Sequence, residues 1–311
     1  MLRNILYNIL LKNYSWLQRL GIFHKWWRRI TVPTFDARTK LYDSAVVLPS
    51  THLFPVITRK FPTFNNPYLE LVYTCFKKKK QKLNIIDAGA GIGDTFLFIR
   101  KNIPLGIKKI FCIEGHPYFS KYLVLNTNSF PESVILQLVL SDKYEEVRNL
   151  VRIHESTASV QGNTFVKAQP LDNVIASATN EKIDILKIDT EGFDGRILAG
   201  SVNILKQDRA FVIFEYHPGL IENTGNDLFQ PFSILENCRY SKLIWFDKFG
   251  VFSHFTTASD KMVFSQYAQD CLQQGAASDM HYDIIALPEE SDINVQDLSA
   301  CRFAINKPFP Y

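Results

Sequence analysis

The stretch Leu83–Arg100, LNIIDAGAGIGDTFLFIR, decides the fold. Its apolar run with β-branched residues, Asn84-Ile85-Ile86, ends at Asp87. The glycine series Gly89, Gly91 and Gly93 follows, and then Phe96, Leu97 and Ile99 at helical spacing. The pattern predicts strand, tight turn and helix. Glycines let a backbone approach a ligand closely, and the free N–H groups at a helix start favour a nucleotide-like molecule. A dinucleotide fingerprint needs a third glycine three positions after Gly91, where this chain has Asp94.

Composition bounds the remainder. The 311 residues suffice for one large core, 46% of them are hydrophobic, and the net charge is +4. That charge is unevenly placed: residues 1–85 carry 15 Lys/Arg against three Asp/Glu, so the remainder is net acidic. A basic amino-terminal quarter points to an anionic partner, a membrane surface or a phosphate-bearing molecule. The five cysteines are scattered and lack CxxC spacing. This pattern argues against a disulfide framework or zinc site, and predicts a reducing, cytoplasmic compartment.

Residues 1–30 hold six basic side chains and no acidic one, with Leu2, Leu6, Ile9, Trp16 and Leu20 near helical spacing. The segment predicts an amphipathic helix, too interrupted by Asn8, Lys12 and Asn13 to span a bilayer. Two roles are open to it: peripheral contact with the inner face of a membrane, or packing on the main domain with a solvated basic face. Residues 31–66, with four prolines, predict loops and short strands. Asn66-Pro67 predicts a helix start with Asn66 as N-cap, and Lys77–Lys80 suit its carboxyl end.

A second buried strand, Lys109–Ile113, ends at Glu114. An acidic residue about 20 positions beyond a glycine turn is where ribose hydroxyls are held in nucleotide-binding folds. Val134–Leu140 predicts a third strand, which ends at Ser141-Asp142, and Glu145–Arg152 predicts a polar helix. Lys182–Gly195, KIDILKIDTEGFDG, supplies a fourth strand whose tip carries Asp189, Glu191 and Gly192. The fifth, Ala210–Phe214, ends in Glu215-Tyr216-His217-Pro218. Two further strands, Lys242–Phe246 and Tyr282–Leu287, bring the total to seven. The expected architecture is α/β: a doubly wound, mostly parallel sheet with one antiparallel strand near its edge. Residues 1–80 form an extension, 81–290 the main domain and 291–311 a tail.

With these stretches in hand, the chain resembles the FkbM family of S-adenosyl-L-methionine-dependent methyltransferases. The matching segments are IIDAGAGIGD (85–94), CIEGHP (112–117), QPLDNVI (169–175), DILKIDTEGFDGRILAG (184–200) and VIFEYHP (212–218), in the family's order. Departures occur at Ile92, where the family commonly has Asn, and at Gly115-His116 before Pro117. The resemblance implies a Rossmann-like fold, S-adenosyl-L-methionine as cofactor and methylation of a hydroxyl oxygen, often on a glycan or other natural product. It marks Asp87, Gly89, Gly91, Gly93, Asp94 and Glu114 for the cofactor, and the rule that ligands bind at strand carboxyl ends adds Ser141 and Asp142 near its adenine.

A hydroxyl is a poor nucleophile until a base or a metal helps remove its proton. Asp189, Glu191, Glu215 and His217 are the candidates, His217 titrating nearest neutrality. Asp189 and Glu191 alternatively hold the methionine amino group or a divalent cation. Base-directed nucleic-acid methyltransferases of related fold carry Asn/Asp-Pro-Pro-aromatic where this chain has Asp189-Thr190-Glu191-Gly192. A nucleic-acid acceptor is therefore disfavoured relative to a small molecule or glycan. An inactive cofactor- or glycan-binding module, an RNA methyltransferase and an NAD-dependent oxidoreductase remain the competing readings.

Overall fold

The computed structural model describes residues 1–152, 158–274 and 280–299. The decisive stretch forms strand β3 (Leu83–Ala88), a glycine turn and helix α6 (Asp94–Asn102). Every residue of β3 is buried. Ile85 packs into one core and Ile86 into another, because successive side chains of a strand face opposite ways. The sheet is therefore covered on both sides.

Five parallel strands run in the order β10 (Phe211–Tyr216), β9 (Ile185–Ile188), β3, β4 (Ile107–Ile113) and β5 (Ser133–Leu136). Strand β13 (Tyr282–Pro288) adds antiparallel to β10, and β11 (Tyr240–Asp247) adds antiparallel to β13. The predicted seven strands with one reversed neighbour are thus present. An eighth, β12 (Phe252–Thr257), extends the edge as a hairpin with β11. The turn between them is built by Asp247, whose Oδ1 accepts N–H bonds from Phe249 and Val251 at 2.9 Å each.

Local predictions failed where tertiary pairing overrode pattern. Glu145–Arg152 is a strand, β7, paired antiparallel to β8 (Ala158–Pro170), with Val147 buried opposite Val166. Val134–Leu140 divides: β5 joins the main sheet, while β6 (Val139–Ser141) pairs with β8 in a separate three-stranded sheet. Asn65, in the left-handed region, occupies the cap position of α5 (Asn66–Lys79), and Asn66 is its first helical residue.

The amino-terminal segment folds as three helices, α1 (Leu2–Lys12), α2 (Tyr14–Arg19) and α3 (Phe23–Thr31), followed by the hairpin β1 (Asp36–Leu41) and β2 (Ser44–Pro49) and by α4 (Phe54–Lys60). Tyr7, Leu10, Phe23 and Leu48 join Ile85, Ile110 and Ile213 in one core. At the other end, Ile293 and Leu298 are buried in that same core, and Lys78 pairs with Asp292 and Asp297. Helices α8 (Leu171–Ala178), α9 (Asp194–Ala199) and α11 (Gln230–Asn237) cover the opposite face.

Asn126, on α7 (Pro117–Thr127), fastens the extension to the glycine turn. Its Nδ2 donates to Ile92 O at 2.9 Å and Val47 O at 3.0 Å, and its Oδ1 accepts from Val47 N at 2.8 Å. Three bonds of this buried amide, at about 1 kcal/mol each, predict that Asn126→Ala loses ~2–4 kcal/mol of unfolding free energy in urea titrations. A loss below about 0.5 kcal/mol contradicts this role.

Candidate active site

The chain leaves β3 toward β4 and β5 on one side and reaches β9 and β10 on the other, so a crevice opens between β3 and β9 at the carboxyl ends of the strands. Two loops meet there. Gly89 adopts φ +87°, and a Cβ at this position would stand 1.8 Å from the carbonyl oxygen of Asp189. Only glycine permits that contact. Gly91, at φ +53°, differs: the nearest atom to an added Cβ is Asp94 Oδ1 at 3.8 Å, so its outer side faces open space.

That space is a cleft of about 230 Å³, partly open to solvent. Gly89, Gly91, Asp94, Glu114, Asp189 and Glu191 all line it, so the structure gathers six of the sequence-predicted residues. Glu114 accepts N–H bonds from Gly91 at 2.9 Å and His116 at 2.7 Å, one on each carboxylate oxygen. Each oxygen retains a second acceptor site. Burial pushes the Glu114 carboxyl up to about 7 against the lowering effect of those two bonds. Asp94 is likewise raised to about 7 by burial, with Asp87 adding to the effect. An apolar wall of Ile113, Leu138, Val139, Leu140 and Ile197 closes one side.

The other predicted residues lie elsewhere. Asp87 is fully buried behind the turn, where it receives the Thr95 hydroxyl and pairs with Lys187 Nζ at 3.1 Å. Gly93 caps α6 at φ +84°, its Cα packed on Thr127 and Leu123. Ser141 and Asp142 belong to a cluster with Glu145 and Arg196: Ser141 Oγ donates to Asp142 Oδ1 at 3.0 Å, and Arg196 Nε to the same oxygen at 2.8 Å. His217 caps helix α10 (Pro218–Asn223), its Nδ1 accepting from Leu220 N at 3.2 Å, and its ring stacks on His281 at 5.5 Å.

Lys187 is the residue that sequence reasoning passed over. It sits in a wholly buried strand, 3.1 Å from Asp87 and 3.2 Å from Asp189. Burial opposes its charge, yet Asp189 and Asp87 together hold its pKa well above the ordinary lysine value. A lysine inside an apolar run was the available signal, since an unpaired cation is not tolerated there. His52, Phe54, Phe64 and Asn65 also line the cleft from the extension, outside the segment of resemblance. Burial lowers the His52 pKa to about 4, so its imidazole is neutral.

A smaller hollow of about 50 Å³ shares Phe64, Asn65, Lys187 and Asp189 with the cleft and adds Tyr68, Glu215, His281 and Asp283. His281 Nε2 lies 3.5 Å from Glu215 Oε1, and Glu215 Oε2 is buried without a hydrogen-bond partner among the described residues. Burial, then Glu191, Asp189, Asp194 and Asp283, raise the Glu215 pKa well above the ordinary value. Glu191 itself holds a left-handed backbone at φ +56°, a sparsely populated conformation for a non-glycine residue. Among the described residues no three His, Cys, Asp or Glu side chains are grouped to hold a metal ion. Cys75, Cys112, Cys238 and Cys271 are buried and unpaired, and Cys301 lies outside the described residues.

The methyltransferase FkbM domain family model matches residues 87–242. The crystal structure of methyltransferase FkbM from Methylobacillus flagellatus is similar at 10% identity and a TM-score of 0.38, over 66% of this chain. This chain spans 43% of that protein's length. TYW2 from M. jannaschii, crystallised with AdoMet, is similar at 10% identity and a TM-score of 0.39, over 81% of this chain and 84% of that one. No curated protein matches. The family segment begins at the strand-tip Asp87 and contains both loops of the crevice: this chain belongs to the FkbM methyltransferase family.

Proposed function

We propose that the chain transfers a methyl group from S-adenosyl-L-methionine to a hydroxyl oxygen of a glycan or other small natural product. The observation that carries the reading is a pair of hollows that share Phe64, Asn65, Lys187 and Asp189, one lined by the glycine turn and Glu114, the other by Glu215, whose buried Oε2 has no hydrogen-bond partner among the described residues. The residues fit the cofactor. Glu114 has acceptor capacity for both ribose hydroxyls, the Ile113 and Leu138–Leu140 wall suits an adenine, and Asp94 and Asp189 suit the methionine amino group. Gly91 leaves room where any side chain would fill the space. When bound, the cofactor supplies an electrophilic methyl group on a cationic sulfur.

The chain's own residues then act by position and proton transfer. Lys187 fixes Asp189, and with it the loop that separates the two hollows. An acceptor hydroxyl in the smaller hollow lies within reach of Glu215 and His281. Glu215 takes the proton as the oxygen–carbon bond forms and the carbon–sulfur bond breaks, and His281 stabilises the Glu215–proton pair from the other oxygen. A carboxylate whose pKa is raised is a stronger base once ionised. His217, already used as a helix cap, is a less suitable base. Asp189-Thr190-Glu191-Gly192 leaves no Pro-aromatic platform for a flipped nucleobase, which favours the hydroxyl acceptor.

Two expectations test this reading. Transfer to a hydroxyl acceptor, followed with carbon-13-labelled methyl donor by the appearance of methoxyl signals, rises with pH as Glu215 ionises. Glu215→Gln lowers kcat by about 10²–10⁴ with the donor KM little changed; a variant within about threefold of the parent removes Glu215 from the mechanism. Separately, the parent's affinity for S-adenosylhomocysteine falls as pH drops below about 7, where Glu114 becomes protonated. Glu114→Gln weakens binding by about tenfold and reduces that dependence to the part carried by Asp94, which is also raised to about 7; an unchanged pH profile in the variant removes Glu114 from it.

A further inference from the structure

Helix α1 carries two apolar faces. Tyr7, Leu10 and Leu11 point into the core and are at most 3% exposed. On the opposite side Leu2, Ile5, Leu6 and Ile9 recur at helical spacing and remain 39–70% exposed. Trp16 on α2, Leu20 at its carboxyl cap and Trp26 on α3 are exposed as well, and both helices pack on α1. A helix that only braces a domain needs one such stripe.

Charge surrounds this surface. Helix α3 buries Phe23, Trp27 and Thr31, and exposes Lys25, Arg28 and Arg29. The Arg29 guanidinium lies 5.7 Å from the Trp26 ring. Arg3 locks α1 to α3 through Nη2 bonds of 2.8 Å to Ile30 O and 2.6 Å to Pro33 O. At the carboxyl end of α1, Lys12, Arg38, Lys40 and Arg59 line a hollow with no acidic side chain. Arg38 and Lys40 share one face of β1. The first acidic residue of the whole chain is Asp36.

We propose that α1–α3 and this basic hollow dock the protein on an anionic phospholipid surface. The exposed row of α1 would enter the acyl boundary, with Trp16 and Trp26 at headgroup level and the hollow receiving lipid phosphate. One surface then supplies both an apolar layer and a dense array of phosphates, matching the two halves of the face. The 11 residues of α1 extend only about 16 Å, and no described helix is long and apolar enough to cross a membrane, so the attachment is peripheral. Helix α4 couples the surface to the cleft: Phe54 and Ile57 line the cleft, and Arg59 lines the basic hollow.

The test is co-sedimentation of the full chain with vesicles of phosphatidylcholine alone and of phosphatidylcholine containing phosphatidylglycerol. The parent binds the anionic vesicles at least about tenfold more tightly, and salt weakens the binding. Two double variants, Leu6→Glu/Ile9→Glu and Lys12→Glu/Lys40→Glu, each reduce it by about tenfold or more while melting temperatures stay at the parent value. Equal partition onto both vesicles, no partition, or variants that bind like the parent overturns the proposal. So does a parent that self-associates through this face on size exclusion and binds no vesicle, since the occupant would then be a second copy.

Discussion

The buried ammonium of Lys187 between Asp87 and Asp189 is the interaction on which the site depends. It joins the ends of β3 and β9, the two strands between which the crevice opens. Its side chain is 9% exposed and that of Asp87 is 1% exposed, so neither charge is hydrated in compensation. Removing one member of such a pair costs ~3–5 kcal/mol, because the other is left charged in the interior. The same pairing holds Asp189 against the glycine turn, where the absence of a Cβ at Gly89 lets its carbonyl approach. The pair therefore ties the tip of the β9 loop to the buried end of β3.

Around that pair the site is strongly acidic. Glu191, Asp194, Glu215 and Asp283 lie near enough to influence one another, and burial raises Asp194 and Asp283 to about 7. A single lysine cannot balance so many carboxylates, and several share the burden by taking protons. A cationic ligand would relieve the same repulsion.

Much of this was legible in the sequence because it is local. The D-x-G-x-G-x-G turn and the L-K-I-D-x-E-G loop each specify a strand tip, and strand tips in a parallel sheet point to one edge. What escaped was long-range. Nothing within Glu145–Arg152 distinguishes a polar helix from a strand until β8 lies beside it. Asp87, Ser141 and Asp142 sit at the expected strand ends, but Asp87 turns to Lys187, 100 residues on, Asp142 to Arg196, 54 residues on, and the Ser141 hydroxyl to Asp142 and Glu145. His52 and Phe64 reach the cleft only because the extension folds onto the sheet, and Asn126 is what fixes it there.

The central claim is that the open side of the glycine turn binds an S-adenosyl ligand. Calorimetric titration of the full chain with S-adenosylhomocysteine, with NAD as control and Gly91→Arg alongside, tests it most directly. The account predicts a single-site heat for the parent, none for the folded variant and none with NAD. A folded parent that gives no heat with S-adenosylhomocysteine, or a Gly91→Arg variant that binds it as well as the parent, would contradict the account.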